Sequence, residues 1–197
     1  MRIAIVGYGS LIWDLDNLAP HVTGQWSLGT GPKMPVEFSR ISPKRKMGLV
    51  LVVDQTLNHQ CQTNIIESSR SNLQHTINDL AARERCDAEM IGHLDMNGNG
   101  LHGFSYVEEW LERSSFDGVV WTALPGNYHS HTGRAFSHHN ARDYLRTLKR
   151  DALVEAWRYI EFAPEVTATP FRQFLAEDPF WQSLDFGDQF IEARHEA

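Results

Sequence analysis

An α+β fold is the architecture this sequence predicts, on three observations. Val36-Glu37-Phe38-Ser39-Arg40-Ile41-Ser42 alternates apolar and polar residues, the period of a half-buried strand. A basic turn, Lys44-Arg45-Lys46, joins it to the continuous apolar run Gly48-Leu49-Val50-Leu51-Val52-Val53, so the two form an antiparallel hairpin. Finally, strand and helix patterns mix along the chain without the strict β-α-β alternation of a doubly wound sheet.

The elements follow in order. Ile3-Ala4-Ile5-Val6 is a short apolar run, predicted as a strand covered on both faces, and Gly7 and Gly9 end it around Tyr8. Residues 14–32, rich in Asp, Asn, Gly and Pro, predict loop, short strand and loop, with Trp26 and Leu28 as the strand's anchors. Residues 58–67 carry little signal beyond Ile65-Ile66. Leu73, Ile77, Leu80 and Ala81 recur at helical spacing, so a helix is expected to start at a cap among Ser68, Ser69 and Ser71 and to end near Arg85-Cys86-Asp87. Residues 91–96 and 118–124 predict two more strands, each closed by Gly/Asn- or Pro/Gly-containing turns. One long helix is expected over residues 140–161, with Pro164 beyond it, and a last short helix begins at Thr169-Pro170 with Phe171, Phe174 and Leu175 inward. A single domain over residues 1–185 and a polar tail over 186–197 complete the expected organisation.

Composition limits the function. The chain has 197 residues, 42% hydrophobic and 22% charged, enough for one real core. Its net charge of −7, with no basic run longer than three residues, argues against nonspecific binding to nucleic acid or membrane surfaces. No stretch reaches the ~20 apolar residues of a membrane helix, and the apolar N-terminal run is too short for a signal peptide. With only Cys61 and Cys86, a disulfide framework is not expected, and a reducing cytoplasm is the expected location. The oligomeric state is left open.

Chemistry concentrates at Gly7-Tyr8-Gly9-Ser10-Leu11-Ile12-Trp13. Glycines after a strand let main-chain N–H groups converge on a carboxylate, a phosphate or an oxyanion, though a bare Gly-x-Gly also serves simply as a tight turn. A dinucleotide fingerprint is poorly supported because Ile12 stands where the third glycine belongs and no long amphipathic helix follows, and no Gly-Lys-Ser/Thr of a P-loop is present. Ser10 lacks the Gly-x-Ser-x-Gly surroundings of a nucleophile elbow. His129-x-His131 and His138-His139 lie in a polar loop without the helical spacing that aims two imidazoles at one ion, so no metal site is assigned. Cys86 carries no nucleophile signature.

This loop resembles the Tyr-Gly-Ser-Leu signature of the gamma-glutamylcyclotransferase superfamily, in particular its ChaC-like branch. Leu80-Ala81-Ala82-Arg83-Glu84 is similar to a Leu-x-x-Arg-Glu helix end in the same branch, where the glutamate is catalytic. The resemblance covers the first half of the chain. It implies a small mixed, largely antiparallel sheet or barrel with helices around one cavity, and an enzyme that cyclises a gamma-glutamyl group to 5-oxoproline with no metal or cofactor. On that reading Glu84 is the acid and base, and the backbone of Tyr8, Gly9, Ser10 and Leu11 holds the substrate. Taken without the family, Glu84 beside Arg83 and Arg85 also suits a solvated helix end. Arg40 falls in the strand where the family often carries an arginine, facing either the cavity or solvent, and Trp121 and Tyr128 are either pocket walls or core. The alternatives are a noncatalytic module that binds a small metabolite in the same pocket, or an enzyme of the same fold acting on another amide.

Overall fold

The structure, a computed structural model, describes residues 1–186. Its strands are β1 (Ile3–Gly7), β2 (Val22–Ser27), β3 (Val36–Ser42), β4 (Gly48–Val53), β5 (Asn64–Ser68), β6 (Ile91–Asp95), β7 (Gly100–Leu101) and β8 (Gly118–Thr122). The α-helices are α1 (Leu73–Glu84), α2 (Ser105–Arg113), α3 (Tyr128–Thr132), α4 (His138–Thr147), α5 (Arg150–Phe162), α6 (Pro170–Ala176) and α7 (Pro179–Gln182). Six strands form a mixed, mostly antiparallel sheet in the order β2-β5-β1-β8-β6-β7, and β3 and β4 form a separate hairpin. The fold is α+β.

Strand β1 lies inside the sheet, antiparallel to β5 with Gly7 opposite Asn64 and parallel to β8 with Ile3 opposite Gly118. Every residue of β1 is buried because both of its faces are covered. Ala4 and Val6 enter a core shared with the hairpin and α5, whereas Ile3 and Ile5 enter a second core with Leu18 and with Ile77, Leu80 and Ala81 of α1. Two-sided cover explains why this strand shows no alternation in sequence.

Several expectations are corrected. The single helix over 140–161 is two helices, broken where Leu148 (ψ 142°) and Lys149 (ψ 155°) turn extended. Thr147 Oγ1 donates to the Tyr144 carbonyl at 2.7 Å and ends α4 locally. The break also lets α4 pack on α6 while α5 packs on β4, two directions that one straight helix cannot serve. The cap of α1 is Asn72, whose Oδ1 accepts the His75 N–H at 3.1 Å, not one of the serines. Leu28 anchors nothing, being 59% exposed beyond the end of β2.

Elements absent from the sequence reading include α2, which buries Val107 and Leu111 at i, i+4, and β5, whose partner strands lie far away in sequence. Phe186, assigned to the polar tail, is buried and packs edge-on against Trp157. The rest of that tail, 187–197, lies outside the described residues. Among the described residues, no helix is long and apolar enough to cross a membrane.

Candidate active site

Strand β1 delivers the glycine loop to the cavity, and Asn64 pins it there. The Asn64 side chain is fully buried; its Nδ2 donates to the Gly7 carbonyl at 3.1 Å and its Oδ1 accepts the Gly29 N–H at 3.0 Å. Tyr8 is buried and donates its hydroxyl proton to the Thr122 carbonyl at the end of β8, at 2.6 Å. The chain then tightens into a 3-10 turn over Ser10–Ile12, with Ile12 N–H donating to the Gly9 carbonyl.

Both glycines are required by close approach, not by left-handed backbone. A Cβ on Gly7 would lie 2.5 Å from Trp26 Cη2, and one on Gly9 would lie 2.6 Å from the Tyr159 hydroxyl oxygen. Gly9 has φ −135°.

The C-terminal end of α1 brings Glu84 to the same place, because Ile77, Leu80 and Ala81 fix the helix on the sheet. Arg85 ends the helix in a left-handed conformation (φ 55°), and its N–H reaches back to Ala81 and Ala82 carbonyls. Glu84 is half-buried and shares one cavity of about 320 Å³ with Tyr8, Gly9, Ser10 and Leu11. The structure thus brings together all five residues singled out in the sequence.

Burial raises the Glu84 pKa, while Arg83, Lys44 and Arg45 pull it back down and Asp14 pushes it up. Its charge in turn raises the pKa values of Tyr8 and Tyr159, both already pushed up by burial. Tyr159, from the last turn of α5, is the residue that sequence reasoning missed. Its ring is held edge-on by Trp13 and Phe38, with the Arg45 guanidinium 5.5 Å from its centre. The backbone N–H groups of Ser10 and Leu51 face its oxygen and pull its pKa partly back down.

Cations rim the cavity. Arg40, Lys44, Arg45, Arg83 and Arg85 line it against the carboxylates Asp14, Asp16 and Glu84. Lys44 Nζ donates to the Glu84 main-chain carbonyl at 2.9 Å, and Arg83 Nε donates to that of Asp14 at 3.1 Å. The basic turn between β3 and β4 is therefore part of the cavity and not merely solvated. Arg40 faces the cavity as well, its Nη1 donating to the Pro125 carbonyl at 2.6 Å. Desolvation lowers its pKa.

Other candidates fall elsewhere. Trp121 is fully buried core packed on Gly92, where a Cβ would lie 2.2 Å from its indole nitrogen. Tyr128 borders a different cavity. His129 and His131 lie on α3, whereas His138 and His139 pack their rings on Phe174, 5.6 and 5.1 Å away. Among the described residues, no three His, Cys, Asp or Glu side chains are placed to hold a metal ion. Burial raises the Cys86 thiol pKa, and Glu84 raises it further, the opposite of an activated thiolate. No protein-family model, curated protein or solved structure matches this chain.

Proposed function

We propose that this chain is a gamma-glutamylcyclotransferase-like enzyme that cyclises a gamma-glutamyl group to 5-oxoproline and releases the attached amine or amino acid. The observation that carries the reading is the single cation-rimmed cavity that holds both the Glu84 carboxyl and the Tyr8 to Leu11 loop. In the reaction, the substrate's α-amino nitrogen attacks its own γ-carbonyl carbon and gives a proton to Glu84. The bond from that carbon to the leaving nitrogen then breaks, and Glu84 returns the proton to the leaving group. A carboxyl whose pKa is raised by burial suits both transfers.

The nucleophile is tethered to the electrophile, so positioning supplies much of the advantage. The loop backbone and the Tyr159 hydroxyl hold the substrate's α-carboxylate, and the cationic rim attracts its negative charge. No cofactor enters the scheme. The fold assignment to this superfamily belongs to the same proposal.

The test is a screen of glutathione, gamma-glutamyl amino acids and gamma-glutamyl amines that records 5-oxoproline release and melting shift together. Turnover of at least one compound by the wild type is expected, with a 10²- to 10⁴-fold loss in Glu84→Gln, the range for removing a general acid–base. Full activity in Glu84→Gln would overturn the assignment. Stabilisation by a gamma-glutamyl compound without any turnover would instead make the chain a binding module.

A further inference from the structure

The cations around Glu84 are not equally committed. Arg45 pairs with Glu155 at 3.0 Å, Arg83 with Asp14 at 3.5 Å and Arg85 with Asp16 at 3.5 Å, while Lys44 donates to the Glu84 carbonyl at 2.9 Å and also acts on its carboxyl. Arg40 stands apart. Among the described residues its only hydrogen bond goes to the Pro125 carbonyl, at 2.6 Å, and no carboxylate pairs with it. The protein thus engages a single donor of a guanidinium that carries several in a fixed fork. A cation partly withdrawn from water and left without a counterion favours an anionic ligand.

Its place in the cavity says which anion. Side chains alternate along β3, so Arg40 and Ser42 share the face turned to the cavity, and Val50, opposite Arg40 on β4, continues that wall together with Val52. The glycine loop and Glu84 come from β1 and α1 instead. The cations acting most strongly on the Glu84 carboxyl are Arg83, Lys44 and Arg45, not Arg40, which therefore stands farther along the cavity. The α-amine, the γ-carbonyl and the α-carboxylate tethered to them have to sit at Glu84 and the loop. What reaches Arg40 is the group on the other side of the bond that breaks.

Resting on the gamma-glutamylcyclotransferase reading of this cavity, we propose that Arg40 determines specificity by holding a free carboxylate on the leaving group, so that the substrates are gamma-glutamyl amino acids or peptides and not gamma-glutamyl amines. A guanidinium matches a carboxylate through two parallel N–H···O bonds, which fix orientation as well as charge. Val50 and Val52 beside it suit the hydrocarbon part of the same group. A neutral leaving group leaves the half-buried cation unpaired, and a site built for a charged partner rejects the analogue that lacks it.

The test compares kcat/KM within two matched pairs, gamma-glutamyl-alanine against gamma-glutamyl-alaninamide and glutathione against its C-terminal carboxamide. In the wild-type chain the free acid of at least one pair should be preferred by roughly tenfold to a hundredfold, as for a lost charge-assisted hydrogen bond. Arg40→Met should collapse that ratio and Arg40→Lys should keep part of it, which also controls for folding. Arg85→Met removes a charge already paired with Asp16 and should change the ratio less. Turnover without preference for either acid overturns the role of Arg40 alone, and turnover of none of the four compounds overturns the reading of function and this role with it. An equal loss on acid and amide in Arg40→Met would put Arg40 on the α-carboxylate, and an equal fall of the ratio in Arg85→Met would assign the preference to the whole rim; either result overturns the proposal.

Discussion

The hydroxyl oxygen of Tyr159 lies 2.6 Å from where a Cβ on Gly9 would sit, so a residue of α5 closes on the glycine loop with no room for even a methyl group. The next Tyr159 atom, Cζ, lies 3.6 Å from the same point, an ordinary contact. One oxygen atom makes the difference.

From that follows a double-mutant cycle. Gly9→Ala should cost about 1–3 kcal/mol, as overpacking in a fixed site does. It should also reduce activity far more than Ser10→Ala, which removes one hydroxyl. Because Tyr159→Phe deletes the clashing oxygen, the double variant Gly9→Ala/Tyr159→Phe should be more stable than the sum of the single effects allows. Urea unfolding of the four proteins measures the coupling, and strict additivity would show that the two residues do not meet.

For the pH profile, the sign comes from burial. Glu84 acts first as a base and must be deprotonated, and its pKa is raised, so the acid limb of kcat/KM should lie above the ordinary glutamate value of about 4.3. Lys44 and Arg45 both lower that pKa. Lys44→Met and Arg45→Met should therefore move the acid limb upward, and a limb that moved down in either variant would contradict the electrostatics.

Arg85 invites a stabilising substitution. It occupies left-handed backbone at φ 55°, costing roughly 1–2 kcal/mol for a residue with a Cβ. Its ion pair with Asp16, 3.5 Å and exposed, contributes little. Arg85→Gly removes the strain but adds backbone freedom to the unfolded chain, for a net gain of about 0.5–1 kcal/mol. A thermal melt checks it, and a lower midpoint would place Arg85's side chain among the stabilising contacts.

Glu37 predicts how stability varies with pH. Its carboxylate is fully buried, accepting its own strand's Phe38 N–H at 2.8 Å and the Phe171 N–H at the start of α6 at 3.1 Å. Burial nevertheless raises its pKa above the unfolded value, so the folded state holds the proton more tightly. The stability linked to this proton is fully present below the unfolded pKa and is lost as pH rises through the folded one. Urea unfolding from pH 4 to 7 should show that loss in the wild type and a flatter profile in Glu37→Gln, and identical profiles would rule the linkage out.

Local sequence determined whatever depends on neighbours along the chain. Alternation and apolar runs marked β1, β3, β4, β6 and β8, the spacing of Leu73, Ile77, Leu80 and Ala81 marked α1, and the glycines marked the loop, because side-chain period and backbone freedom are properties of a few adjacent residues. Helix α2 went unread, although Val107, Trp110 and Leu111 stand at helical spacing between Ser105 and Arg113.

Tertiary structure decided the rest. Strand β5 acquires its identity only by pairing with β1 and β2, and the break at Leu148 only from α4 and α5 packing on different partners. The reason Gly9 must be glycine is likewise nonlocal, since its φ is negative and the obstacle, Tyr159, comes from α5. So too with the rim: nothing adjacent to Lys44, Arg45 or Arg40 in sequence says that they face Glu84, which the docking of α1 beside the β3–β4 hairpin brings to them. Which distant segments meet is set by how two covered faces of one strand are filled, and that depends on the shape of the whole chain rather than on any stretch of it.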